Sequence, residues 1–318
     1  MEKLRIVFMG TPEFAVGILD TIVKHQLEVV GVITAADKPA GRGQKLKFSA
    51  VKEYAIANGL KLLQPTNLKD EAFLADLKSL NANLQVVVAF RMLPEAVWNM
   101  PRLGTINLHG SLLPQYRGAA PINWAIINGE NETGVTTFLL QHEIDTGQII
   151  FNHKIAISET DTAGSIHDKL MEVGANLVLK TIQAIEKNEY PQIDQEQLMV
   201  GDLKIAPKIF KDDCKIDWNN SCEIIYNKVR GLSPYPTAFS TIKNEKGILN
   251  FKIFGCTKEE TAHTNTPGTI DTDNKTYFKV ATNNGYIQLN DIQLEGKKRM
   301  PIADFLRGFT INAHTHFI

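Results

Sequence analysis

The chain has 318 residues, of which 43% are hydrophobic and 22% are charged, and its formal net charge is −1. This length predicts two domains, and the composition excludes a disordered chain, a membrane-spanning protein and one that coats nucleic acid through bulk electrostatics. Local contacts to phosphate groups are still allowed, and the N-terminal sequence, which has no secretory signal pattern, predicts a cytoplasmic protein.

The first half of the chain alternates strand-like and helix-like segments. The strand-like runs are rich in valine, as buried parallel strands are, and Gly59 stands where a helix would end in the left-handed conformation. This alternation predicts a Rossmann-like α/β domain with a doubly wound, mostly parallel sheet. We expect strands at residues 5–9, 27–34, 85–90, 105–108 and 135–140, and helices at residues 49–58, 71–80, 122–127 and 163–187.

The second half is different, because a polar stretch after residue 190 predicts an interdomain linker. Beyond it, short β-like segments are separated by turns, and Asn284-Gly285 is typical of a hairpin. This spacing predicts a small β-barrel, although it also fits a sandwich. We expect strands at residues 249–254, 277–281 and 285–292, and a division into a first domain over 1–190, a linker over 191–207 and a β-domain over 208–318.

Two stretches carry residues suited to chemistry, residues 107–121 and Asp145-Thr146-Gly147. Asn107 and His109 lie two apart at the end of a predicted strand, so both side chains leave the same face, at the crevice where open α/β sheets bind ligands. An asparagine amide can donate to a developing oxyanion, an imidazole can move a proton, and Asp145 could orient that imidazole. Such a set suits transfer of an acyl-like group without a covalent enzyme intermediate.

The same residues also fit a structural role. Asn107 could cap a turn, His109 could be a hydrogen-bonded core histidine, and Asp145 could be a turn residue before Gly147. Spacing alone leaves the catalytic and the structural interpretations open.

Residues 107–121 are similar to the signature of the formyltetrahydrofolate-dependent formyltransferases, which have an Asn-x-His-x-Ser-Leu-Leu-Pro core and a later Asp-Thr-Gly. The resemblance extends over nearly the whole chain, because further motifs resemble the branch of this family that acts on methionyl-tRNA. Those motifs are residues 8–15, 37–43, 206–209, 216–218 and 229–238.

The resemblance implies an enzyme that moves the formyl group of its co-substrate, 10-formyltetrahydrofolate, to the amino group of methionine on initiator methionyl-tRNA, without a metal ion. It implies that Asn107 and His109 stabilise the oxyanion, and that Asp145 orients His109 and helps to order the water that moves protons. The residues that it assigns to the folate site are Ser111, Leu112, Leu113 and Pro114.

The resemblance also implies how tRNA is bound. The loop over residues 35–47 is longer than a strand-to-helix connection needs, and in the family this insertion enters the acceptor end of the tRNA. The β-domain, which the resemblance makes a barrel of the oligonucleotide-binding type, is expected to hold the tRNA body, and we expect a monomer. The candidates are Lys38, Arg42 and Lys45 for the acceptor end, and Lys204, Lys208, Lys211 and Arg230 for the tRNA body.

Two positions depart from the family pattern. Arg91 stands where a small residue is common, and Glu143 stands two residues before Asp145, where glycine is frequent. A positive φ at Glu143 would be strained, so we expect the local backbone to differ.

Other functions fit less well. A dinucleotide-dependent dehydrogenase would need a Gly-x-Gly-x-x-Gly turn, which residues 10–14 lack. A non-catalytic RNA-binding protein would not need the three candidate catalytic residues. A relative that formylates a small amine, such as an amino-sugar nucleotide, would share those three residues but not the tRNA-type loop or the C-terminal motifs.

Overall fold

A computed structural model of the protein describes residues 3–40, 45–244, 247–312 and 314–318. Within these ranges, no helix is both long and apolar enough to cross a membrane. The chain packs into two compact units. Unit 1 contains the residues up to Pro121, Thr133–Ile155 and His167–Ile205, and unit 2 contains Ile122–Glu132, Ala156–Ile166 and Ala206–Ile318.

The chain up to residue 190 alternates strands and helices, as the sequence predicts. The helix after Ser49 begins with the Ser49 hydroxyl accepting a hydrogen bond from the Lys52 amide at 3.0 Å. It is followed by Gly59 at a φ of +64°, the left-handed conformation expected there. The strands are β1 (Ile6–Gly10), β2 (Val29–Ile33), β3 (Lys38–Ala40), β4 (Lys45–Lys47), β5 (Leu62–Leu63), β6 (Leu84–Val88), β7 (Thr105–His109), β8 (Arg117–Gly118), β9 (Glu132–Leu139) and β10 (Ile149–Ala156). The helices are α1 (Glu13–Lys24), α2 (Ala50–Ala57), α3 (Glu71–Ser79), α4 (Glu95–Trp98), α5 (Pro121–Ile127) and α6 (Ala163–Lys187).

Seven of these strands form one sheet in the order β10-β9-β7-β6-β1-β2-β5. β1 pairs in parallel with β2 on one side and with β6 on the other, and β5 and β7 extend the parallel part outward. β9 pairs with β7 in the antiparallel direction. The strand order reverses between β1 and β6, so the predicted doubly wound, mostly parallel sheet is confirmed, and β7 ends next to this switch point.

The centre of the unit 1 sheet is buried on both faces. Every residue of β1 is buried, which explains why this strand reads as an unbroken apolar run. Val7 and Met9 of β1 lie in one core cluster with Phe73 and Leu77 of α3. The same cluster includes Val87 of β6, the strand that pairs with β7.

The chain after residue 190 contains more β-strand than helix. The strands are β11 (Ile205–Ala206), β12 (Ala238–Asn244), β13 (Gly247–Glu259), β14 (Ile270–Thr272), β15 (Phe278–Ala281), β16 (Tyr286–Leu294), β17 (Met300–Pro301) and β18 (His316–Phe317). The helices are α7 (Cys222–Leu232) and α8 (Ile302–Leu306), with 3-10 turns at Gln195–Leu198 and Asp212–Cys214.

Unit 2 is built on a nearly closed antiparallel barrel, as the sequence predicts, and is not a sandwich. Its strands follow the order β14-β15-β16-β13-β12-β18, and β17 pairs with β16. β15 and β16 form the expected hairpin, with Ala281 paired to Tyr286 around Asn284-Gly285. The Phe317 amide of β18 donates to the Gly268 carbonyl at 3.1 Å, which brings the last strand to the segment that enters β14.

The two units do not follow each other simply along the chain. Unit 2 takes in residues 122–132 and 156–166, and Ile127 packs against the barrel core. Residues 191–205, which the sequence assigns to a linker, lie in unit 1. The domain boundaries at residues 190 and 208 stay a prediction.

Phenylalanine side chains fill the barrel. Phe251 is fully buried, and its ring centroid lies 6.1 Å from that of Phe278, 5.5 Å from that of Phe305 and 5.3 Å from that of Phe317. The last two pairs meet edge to face, an arrangement that adds to the stabilisation from burial.

Replacing Phe251 by alanine is expected to destabilise the barrel, because it leaves a cavity where three other rings converge. We expect Phe251→Ala to lower the free energy of unfolding by about 3–5 kcal/mol in urea denaturation followed by circular dichroism. Phe210, which is 62% exposed in the same unit, is the matched control, and Phe210→Ala should change that value by no more than about 0.5 kcal/mol. Equal losses in the two variants would contradict this account of the core.

Candidate functional site

Asn107 and His109 lie on one face of β7. Leu108 between them points to the opposite face, because a Cβ on Gly174 of α6 would lie 2.9 Å from Leu108 Cδ2. The strand alternation that predicts a shared face for Asn107 and His109 therefore holds in the fold. His109 is only 6% exposed.

The His109 ring is fixed by a backbone carbonyl. Its Nε2 lies 2.8 Å from the carbonyl oxygen of Tyr116. A carbonyl can only accept, so Nε2 carries the hydrogen and donates it. This leaves Nδ1 as the nitrogen that can gain or lose a proton, and Nδ1 lies 3.8 Å from Oδ2 of Asp145. That distance is too long for a hydrogen bond but short for an interaction between charges.

Asp145 sits in a tight turn that determines where its carboxylate lies. Its φ is +55°, and its Oδ2 accepts a hydrogen bond from the Gly118 amide at 3.0 Å. Two residues later, a Cβ on Gly147 would lie 1.6 Å from the carbonyl oxygen of Leu139, so no other residue fits. In the Asp-Thr-Gly sequence, the aspartate thus tolerates the left-handed region, and the glycine fits because it has no Cβ.

The Asn107 side chain is half-buried. No hydrogen bond joins its amide to any residue in the described ranges of the chain. Its two N–H groups are therefore available to an oxygen atom of a substrate, as a donor to a developing oxyanion must be.

The segment predicted to line the folate site is held against β9. Thr136 Oγ1 donates to the Ser111 carbonyl at 2.7 Å and accepts from the Leu113 amide at 3.2 Å. The Ser111 hydroxyl donates to the Gln115 carbonyl at 2.6 Å. Ser111, Leu113 and Pro114 are buried, and the half-buried Leu112 packs over Gly134. Of the four predicted side chains, Leu112 is thus the one that a ligand can reach directly.

Two further residues, which the sequence does not mark as functional, lie against the candidate site. Gln195 is 2% exposed and donates to the backbone carbonyls of Asp145 and Gly147. Arg117 donates to the side-chain oxygen of Gln195. Gln195 stands in a polar stretch without periodicity, and no sequence signal marks it as buried.

The structure accommodates both departures from the family pattern, Arg91 and Glu143. Arg91 donates to the carbonyls of Thr66 and Pro65, at 2.9 and 2.5 Å, so its cation is engaged by that loop. Glu143 does not have a positive φ; the left-handed residue of this turn is Asp145 itself. Glu143 therefore carries none of the strain that a positive φ would impose on it.

The predicted tRNA loop contains the hairpin of β3 and β4, in which Lys38 pairs with Lys47 and Ala40 with Lys45. Arg42 lies outside the described residues. The base of the hairpin is anchored at Asp37, which accepts from Lys52 Nζ at 2.5 Å and from Gln64 Nε2 at 2.9 Å. These hydrogen bonds, that of Lys52 first, lower the pKa of the Asp37 carboxyl.

The prediction that Arg230 helps to hold the tRNA body is wrong. It is 9% exposed, and its guanidinium donates to Asn227 Oδ1 at 2.8 Å and to the carbonyls of Ser158 and Asp161 at 3.3 and 3.1 Å. A cation committed to three acceptors inside unit 2 is not available to phosphate. Lys204, Lys208 and Lys211 are exposed.

Comparison with known proteins identifies the family. The chain matches the Formyl transferase family over residues 4–182 and the Formyl transferase, C-terminal domain, over residues 208–310. The methionyl-tRNA formyltransferase of Flavobacterium johnsoniae is 59% identical over 312 residues, which are 98% of this chain and 98% of that protein. The methionyl-tRNA formyltransferase of Bacteroides fragilis is 54% identical over 310 residues, which are 97% of this chain and 96% of that protein.

A solved structure has the same fold. WlaRD, a sugar 3N-formyl transferase crystallised in the presence of dTDP and 5-N-formyl-THF, superposes with a TM-score of 0.65 at 21% sequence identity. The match covers 94% of this chain and 100% of that one. With both regions of the family matched along nearly its whole length, the chain belongs to the formyl transferase family.

Proposed function

We propose that this protein transfers the formyl group of 10-formyltetrahydrofolate to the α-amino group of methionine on initiator methionyl-tRNA, in the cytoplasm and as a monomer. The observation that carries the proposal is the buried pair of His109 and Asp145 beside the uncommitted amide of Asn107. The acceptor is supported by relatives named methionyl-tRNA formyltransferase that are 54–59% identical over nearly the whole chain. The sugar formyltransferase WlaRD is only 21% identical in sequence to this chain.

The three residues can stabilise the charge that develops during formyl transfer. The amine attacks the formyl carbon that the folate supplies, and the carbonyl oxygen then gains negative charge. The bond from this carbon to the folate nitrogen breaks afterwards, and that nitrogen takes up the proton that the amine loses. Asn107 donates an N–H to that oxygen, and His109 donates a second hydrogen from Nδ1 when protonated. Asp145 lies 3.8 Å from this nitrogen, near enough for its negative charge to interact with a protonated ring.

The folate site that we propose follows the β7-to-β8 connection. Leu112 offers an apolar surface, and the backbone of residues 111–114 offers hydrogen-bonding groups held in place by Thr136. The side chains of Ser111, Leu113 and Pro114 are buried beneath this surface and support it.

The acceptor is tested by direct assay of the full-length protein. We expect formyl transfer from 10-formyltetrahydrofolate to methionyl-tRNA, and little or none to an amino-sugar nucleotide or another small amine. A higher kcat/KM for a small amine would replace the proposed acceptor while leaving the formyl-transfer chemistry in place.

Removing either member of the buried pair should abolish most turnover. We expect His109→Ala and Asp145→Asn each to lower kcat by about 10²–10⁴-fold while leaving tRNA binding nearly unchanged, because both residues act on charge and proton movement. Steady-state kinetics and a parallel tRNA-binding assay measure the two effects. His142→Ala and Asp168→Ala are matched controls, since these side chains are 87% and 76% exposed, and near-normal turnover is expected for both. Normal turnover in a His109 or Asp145 variant would remove that residue from the mechanism.

Arg42 is proposed to contact the acceptor end of the tRNA, together with Lys38 and Lys45. We expect Arg42→Ala to lower kcat/KM for methionyl-tRNA at least about tenfold, the effect of removing one modest charged interaction. Arg42→Lys should recover part of this loss, because an ammonium keeps the charge but not the planar fork. Lys187→Ala, at the exposed end of α6, is the charge-matched control. Equal weakening of folate binding in Arg42→Ala would show that the loop does not act on tRNA specifically.

The barrel is proposed to hold the tRNA body through exposed lysines near its start. We expect Lys208→Ala and Lys211→Ala together to weaken tRNA binding and to reduce the slope of log Kd against log salt concentration by roughly 0.7–0.9 for each phosphate group that is no longer neutralised. Filter-binding at several salt concentrations measures this slope. Weaker binding with an unchanged slope would mean that these lysines do not contact phosphate.

A further inference from the structure

Gln195 is a buried side chain that joins two loops of unit 1. Its Nε2 donates to the carbonyls of Asp145 and Gly147, both at 2.8 Å. Its Oε1 accepts from Arg117 Nε at 3.0 Å and from Arg117 Nη2 at 2.7 Å. The amide thus uses both of its donors and both lone pairs of its oxygen.

The Asp145 turn needs partners of this kind. Asp145 is in the left-handed region, which is unfavourable for a residue with a side chain, and Gly147 has no space for a Cβ. The carbonyls of these two residues are the ones that Gln195 engages. Holding them fixes the direction of the Asp145 carboxylate, which reaches the Gly118 amide and faces His109.

The second loop is the one that orients His109. Arg117 directly follows Tyr116, whose carbonyl accepts the hydrogen bond from His109 Nε2. Tyr116 is also left-handed, at a φ of +60°. Gln195 therefore bridges the turn that carries the Asp145 carboxylate and the loop that orients the His109 imidazole.

The rest of its segment is attached to the same part of unit 1. Ile193 exchanges two backbone hydrogen bonds with Ile149, at 2.9 and 3.0 Å. The Lys204 carbonyl accepts from the Tyr116 amide at 2.6 Å, and the Lys204 amide donates to Gln115 Oε1 at 2.8 Å. The segment thus begins beside the turn after β9 and returns to the loop before β8.

We propose that Gln195 is a positioning residue for formyl transfer, which holds Asp145 Oδ2 near His109 Nδ1 by fixing both loops at once. It does not touch the substrates. This proposal rests on the function proposed above, because its main readout is formyl transfer to methionyl-tRNA.

Gln195→Met, which keeps the length of the side chain and removes all four hydrogen bonds, is the principal test. We expect kcat to fall about 10- to 100-fold, the scale of a small misplacement of catalytic groups. The KM values for methionyl-tRNA and for 10-formyltetrahydrofolate should stay within about threefold, because the residues that bind the two substrates are unchanged. A side chain that contributes only stability would lower the melting temperature and leave kcat of the folded enzyme unchanged, and that result would overturn the proposal.

Two further variants separate the contributions of the amide. Gln195→Glu keeps an acceptor for Arg117 but, when ionised, has no donor for the two carbonyls, so we expect it to remain folded and to lose kcat as Gln195→Met does. Gln148→Met removes a different hydrogen bond between the segment of Gln195 and the one after Asp145, the 2.8 Å bond from Gln148 Nε2 to Asp194 Oδ1. This control should retain at least about half of the wild-type kcat, since the bond is exposed and worth little. Wild-type kcat in Gln195→Glu, or an equal loss in Gln148→Met, would refute a specific role of Gln195.

Hydrogen exchange distinguishes failure of this proposal from failure of the proposed function. Without substrates, Gln195→Met should exchange faster than wild type in residues 143–148 and 115–118, and equally in α6. If the wild-type protein does not formylate methionyl-tRNA, the proposed function fails, and the exchange measurement still tests the bridge. Unchanged exchange in both loops would overturn the bridge itself.

Discussion

The hydrogen bond from His109 Nε2 to the Tyr116 carbonyl, at 2.8 Å, decides which imidazole nitrogen is left for chemistry. Because Nε2 is committed, Nδ1 is the nitrogen that faces Asp145. His109 and Asp145 are only 6% and 8% exposed, so water and salt screen their interaction weakly. A change of about 1 Å in either loop would therefore alter the electrostatic interaction between these two side chains.

The two residues that set this geometry both occupy an unfavourable backbone region. Tyr116 and Asp145 have φ values of +60° and +55°. Such conformations cost about 1–2 kcal/mol each and persist only where surrounding contacts fix them. Here the Tyr116 amide donates to the Lys204 carbonyl, and the Asp145 carbonyl accepts from Gln195. The contacts that hold both strained residues thus come from one continuous segment, residues 195–204.

Much of the fold and of the candidate site follows from the sequence, because local rules apply there. Valine-rich runs indicate buried parallel strands, and two-residue spacing on a strand gives Asn107 and His109 one face. The bonds of Gln195 depend on partners 48 to 78 positions away, and no local pattern encodes such a distance. Arg230 shows the opposite error: a cation on a helix is usually solvated, but packing within unit 2 surrounds it with acceptors.

Gln195 also lies in an interval that neither family match covers, since the first ends at residue 182 and the second begins at residue 208. The signature residues of the site are therefore held in place by a segment outside the signature. A buried amide is suited to this task, because it offers donors to one loop and an acceptor to the other without adding a charge next to Asp145. A carboxylate at the same position would repel both carbonyls, and a shorter amide would not span the two loops. The constraint on residue 195 is thus chemical and geometric together, although its surroundings in the sequence look like an unstructured linker.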